Sequence, residues 1–111
     1  MKVRAYVHEA ILVLDPRTDP RAVGATVTTA LCGHWKHDGA CRWPHNNHIH
    51  GTRFRTLFVA TPDDEPEVRR RIRDALHGQP EWRVESDRSR DVAPGEEELA
   101  VQLTHTPRRK D

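Results

Sequence analysis

Two cysteines and five histidines crowd into nineteen residues: Cys32, His34, His37, Cys41, His45, His48 and His50. Thiolate sulfur and imidazole nitrogen are the donors zinc prefers, and four of them in tetrahedral array make a closed structural site. The chain carries eight histidines in 111 residues, about three times an ordinary share of ~2%. His37 and Cys41 are four apart, together on one helical turn or across a tight loop, and Cys41 and His45 repeat that spacing over Pro44. His48 and His50 are two apart, so on a strand they point the same way. Asp38-Gly39, Pro44 and Asn46-Asn47 supply turns that fold donors inward.

These spacings predict a metal site drawn from Cys32, His37, Cys41, His45, His48 and His50. Cys41, His45, His48 and His50 form the central set, because the segment leads directly into a strand, which fixes geometry better than a loop does. Zinc is the first expectation; copper, iron and nickel are late transition metals with overlapping donor preferences. Cys32 also reads as a small buried hydrophobe at the end of a helix face, and His34 as a solvated loop residue. Trp35 and Trp43 read as the wall of the site. His8 reads as a surface histidine, and Arg69, Arg70 and Arg71 as a solvated helix face.

The elements that must position these donors follow from periodicity. Residues 3–14 read as a strand, alternating at Val3, Ala5 and Val7 and then continuously apolar from Ile11 to Leu14. Asp19-Pro20 starts a helix and Gly33 caps it, with Val23, Val27 and Leu31 on one face. Residues 53–60 form a strand. Acids at residues 63–65 open a second helix, whose stripe is Val68, Ile72, Ala75 and Leu76. Residues 81–87 and 98–104 read as two more strands, joined by a polar loop. With a short strand inside residues 42–50, the order predicts an α+β fold. The expected form is a ferredoxin-like sandwich, β-α-β-β-α-β plus an extra strand, with an antiparallel sheet and two helices on one face. Residues 1–105 make one domain and 106–111 a flexible charged tail. The face left open by the helices predicts a homodimer, with Trp82, Leu99 and Val101 at the contact.

Composition narrows the function classes. Eighteen basic side chains balance seventeen acidic ones, for a net charge of +1. This makes nucleic acid an unexpected partner, since binders of it carry a basic excess. No apolar run approaches the ~20 residues that span a bilayer, and no signal-peptide core follows residues 1–10. The expected location is the cytoplasm, where two cysteines are reduced thiols or metal ligands rather than a disulfide.

His48-Ile49-His50 resembles the His-hydrophobic-His motif of the HUH nucleases, which use a ferredoxin-like core and a metal to cut single-stranded DNA. The resemblance implies a nucleophilic tyrosine on a later helix. The single tyrosine, Tyr6, lies on the first strand, and residues 68–76 hold none. DNA cleavage is therefore rejected. The leading expectation is a small metalloenzyme acting on a small-molecule substrate, its ion activating water or substrate. The alternative is a binding or regulatory protein whose Cys/His segment is a structural zinc knot. Ligand count separates them: three protein ligands beside a pocket favour catalysis, four favour structure.

Overall fold

A computed structural model describes residues 2–33 and 41–108. His34 and His37 thus lie outside the described residues, as do residues 109–111 of the charged tail. The elements run β1 (Arg4–Leu14), α1 (Arg21–Cys32), β2 (His45–His50), β3 (Arg53–Ala60), α2 (Glu65–His77), β4 (Trp82–Arg90) and α3 (Glu97–Thr104). The strands form one sheet in the order β2-β3-β1-β4, and every neighbouring pair is antiparallel. The class is α+β.

Alternation along the strands divides the sheet into two faces. One face is covered by α1 and α2: Ala10, Leu12, Phe54, Phe58 and Trp82 pack against Val23, Val27, Leu31, Val68, Ile72 and Leu76. The spacing of four within each helical trio puts its members on one stripe. On the opposite face, Val7 and Leu57 pack with Ala100, and Leu99 and Leu103 join them.

Two elements depart from the sequence reading. Residues 98–104 are not an extra strand but the core of α3. Leu99, Ala100 and Leu103 make a helical stripe, and Glu97 and Glu98 sit in its first turn, where they complement the positive end of the helix. Second, β4 continues to Arg90 through residues expected to be loop. Its polar side chains are held from the sheet: Arg88 and Arg90 both pair with Glu9 of β1, and Arg90 also pairs with Glu96.

Three side-chain placements also differ. Trp82, expected at a dimer contact, is buried on the helix side, its indole N–H donating to the Leu76 carbonyl at 2.9 Å. Of its two companions, Leu99 packs in the second cluster and Val101 is exposed. Arg69 is buried rather than solvated, donating to the Val7 carbonyl at 2.8 Å and pairing with Glu65. His8, read as a surface residue, is 1% exposed. In each case a partner more than five residues away in sequence satisfies the polar end while the apolar body packs.

Candidate metal centre

The C-terminus of α1, the turn after Cys41 and the start of β2 converge. Cys32 is the last residue of α1, whose chain turns away through Gly33 at a φ of 82°, a left-handed conformation glycine adopts without steric cost. Cys41 opens a short turn that ends at Pro44, whose carbonyl accepts from Val59 N–H at 2.9 Å. Between them Trp43 is 2% exposed. Its indole N–H donates to Asp64 at 3.2 Å. The Arg42 and Arg71 guanidiniums lie over its ring at 4.7 and 4.9 Å, a favourable cation–π geometry. Trp43 thus packs in the core on the helix side of the sheet; Trp35 is outside the described residues.

Cys32 and Cys41 are joined as a disulfide, with their Cα atoms 5.2 Å apart. This corrects the expectation of reduced thiols. A ring nitrogen of His45 lies with the two sulfurs in one group, all within 4.8 Å of one another. His45 is fixed at both ends. Nδ1 is 3.0 Å from the Trp43 carbonyl and Nε2 is 2.9 Å from the Thr28 hydroxyl of α1. The carbonyl can only accept, so the neutral ring carries its proton on Nδ1 and Thr28 donates to Nε2.

The β2 register decides which other donors reach this point. His45 pairs with Phe58, Asn47 with Thr56 and Ile49 with Phe54, so these three face the helices. Asn47 donates to the Gly24 carbonyl at 3.0 Å and to Thr28 at 3.1 Å. A side chain at Gly24 would crowd Asn47 at 3.3 Å, so this glycine lets α1 approach the strand. His48 pairs with Arg55 and His50 with Arg53; both histidines are exposed on the opposite face. Of the six expected ligands, Cys32, Cys41 and His45 are brought together. His48 and His50 do share a face with each other, but not with the cluster, and His37 is outside the described residues.

Beside the cluster a groove of about 420 Å³ runs between α1 and β2, lined by Gly24, Thr28, Asn47, Ile49 and Phe54 among others. Thr28, hydrogen-bonded to His45 of the cluster, also lines the groove. Asn47 Oδ1 and the Thr56 hydroxyl are buried without a hydrogen-bond partner among the described residues, and the two residues are cross-strand neighbours.

The sequence reading missed a second polar constellation. His8 donates from Nε2 to Asp87 at 3.1 Å, and Asp87 also holds His77 Nε2 at 2.9 Å. Arg69 approaches His8 Nδ1 at 3.4 Å. Burial pushes the His8 pKa below its usual value, against the pull of Asp87. The Asp87 carboxyl is held below its usual value: its two histidine partners outweigh burial, which acts the other way. Only the polar interruption of an apolar strand by His8 hinted at this network.

No protein-family model, curated protein or solved structure matches the chain. The site's chemistry must therefore carry the functional reading.

Proposed function

We propose that the reduced protein is a metal-binding protein that holds one late transition-metal ion, zinc first, through Cys32, Cys41 and one ring nitrogen of His45. The observation that carries this reading is the gathering of two sulfurs and an imidazole within 4.8 Å, at residues drawn from a helix end, a turn and a strand. Two thiolates and an imidazole are a donor set zinc accepts. The imidazole is also oriented as metal ligands are. Whichever nitrogen ligates, the other keeps a partner, the Trp43 carbonyl for Nδ1 or the Thr28 hydroxyl for Nε2. The element order and the strand order β2-β3-β1-β4 support a ferredoxin-like sandwich with α3 added.

The fourth position decides between catalysis and structure. His34 and His37 lie between the two cysteines, and either one as fourth ligand gives a closed structural site. The groove lined by Thr28, the hydrogen-bond partner of His45, supports the other reading, a three-ligand site with an open position for water or a small substrate. The test is zinc uptake by the fully reduced protein, with the coordination set read by X-ray absorption. One zinc per chain on two sulfurs and nitrogen supports the reading; no uptake overturns it.

A further inference from the structure

We infer that this centre is gated by oxidant: a small peroxide converts the zinc-loaded dithiolate into the Cys32–Cys41 disulfide and expels the ion. The inference rests on the metal-binding reading above and adds its regulation.

Both states use the same two sulfur atoms. Zinc needs thiolates, and a disulfide has neither the charge nor the lone-pair basicity to replace them. Metal and disulfide therefore exclude each other. Burial couples loss of the ion to closure of the bond. Cys32 is 5% and Cys41 8% exposed, and two buried thiolates are costly without a cation beside them. Cys32 also ends α1, where the negative pole of the helix opposes a lone thiolate. The loaded site is charge-compensated and the disulfide is neutral; the empty dithiolate is the unfavourable form, so loss of the ion and closure of the bond are driven together.

The same burial selects the oxidant. Both sulfurs belong to buried residues, Cys32 and Cys41, which disfavours attack by a bulky protein disulfide, whereas a peroxide is close to water in size. The second cysteine is already placed to finish the reaction. A Cα separation of 5.2 Å lies inside the roughly 4.4–6.8 Å that disulfides span.

The steps balance. One thiolate attacks a peroxide oxygen; the O–O bond breaks, hydroxide leaves and a sulfenic acid forms. The other thiolate attacks that sulfur; the S–S bond forms, the S–O bond breaks and a second hydroxide leaves. Two solvent protons complete two waters. The sulfurs give two electrons to the peroxide, and zinc departs as the hydrated ion with its charge unchanged.

The experiment uses the full chain, reduced by a phosphine, loaded with zinc, freed of excess and titrated with hydrogen peroxide. A chromogenic chelator reads released zinc and intact mass reads oxidation. One zinc released per peroxide, in step with loss of two hydrogens from the apo chain and reversed by fresh reductant, is the expected result. Zinc retained by the disulfide form, or oxidation that stops at sulfinic acid, overturns the gate while leaving the metal reading intact. Failure of the reduced chain to load zinc overturns the reading itself. His45→Gln separates the two further. It is expected to weaken zinc at least tenfold yet still form the disulfide under peroxide; loss of disulfide formation in a folded His45→Gln chain counts against the gate.

Discussion

His45 and His48 sit three residues apart on β2 and face opposite sides of the sheet. His45 points at Thr28 of α1, while His48 stands across from Arg55 on the other face. A strand separates odd spacings as surely as it unites even ones, and this assigns the two histidines different fates.

His48→Ala and His50→Ala, singly or together, are expected to leave zinc stoichiometry unchanged in the reduced protein, whereas His45→Ala lowers affinity by at least an order of magnitude. Equilibrium dialysis against zinc measures all three. Loss of zinc from the His48 or His50 variants would place the site on the α3 face instead.

Much of this was legible in the sequence, and the failures have particular causes. Donor density is a local property, so the Cys32-to-His50 segment identified itself. Which donors converge depends on register, and the 45-to-48 spacing already held the answer once β2 was taken to begin at His45. Residues 98–104 alternate like a strand at Leu99, Val101 and Leu103. Pro94-Gly95 and the acids that follow are helix-start signals, and they decide the matter. The burial of Arg69 had no local signature and that of His8 only its place in an apolar strand, because both depend on Asp87, on the Val7 carbonyl and on each other across the fold. The disulfide has no local signature either: it depends on the segment after α1 bringing Cys41 back to within 5.2 Å of Cys32, Cα to Cα.

Opening the disulfide without supplying metal should destabilise the protein. The bond closes a sequence separation of nine, and a loop of about ten residues contributes about 2.7 kcal/mol in the chain-entropy account. In a domain of this size that is a fall in Tm of roughly 10 °C. Calorimetry with and without phosphine reductant measures it, and excess zinc should restore part of the loss through binding linkage. An unchanged Tm on verified reduction would mean that the bond does not constrain the unfolded chain.

His8 makes stability depend on pH. Its pKa is lowered in the fold by burial, with Asp87 of β4 opposing and Arg69 and Arg73 of α2 reinforcing; His77 reaches the same Asp87 from α2. The unfolded chain therefore binds more protons near pH 6, and stability falls as pH drops below about 6.5, the unfolded value. Denaturant midpoints between pH 7.5 and 5 should decline, and His8→Asn should flatten the decline. A wild-type profile flat across that window would contradict the neutral, buried state of His8.

Glu96 ties α3 to the sheet through Arg90 and Arg55. Its hydrogen bonds with Arg90 hold its carboxyl down at about 2. Glu96→Gln is expected to cost about 1–3 kcal/mol at pH 7, a typical value for removing a hydrogen-bonded charged partner. Because the folded pKa is depressed, the carboxylate's contribution is complete above about 4.5 and disappears as pH falls through about 2. Wild type and variant should therefore converge in acid. A constant difference across the range would assign the effect to packing.

The most direct measurement is the zinc content of the protein reduced under exclusion of oxygen, loaded with zinc, passed through a desalting column and analysed by elemental emission beside a Cys32→Ser/Cys41→Ser variant. The account predicts close to one zinc per chain in the reduced wild type and almost none in either the disulfide form or the double variant. Equal zinc in reduced and disulfide forms, or none in both, would contradict it.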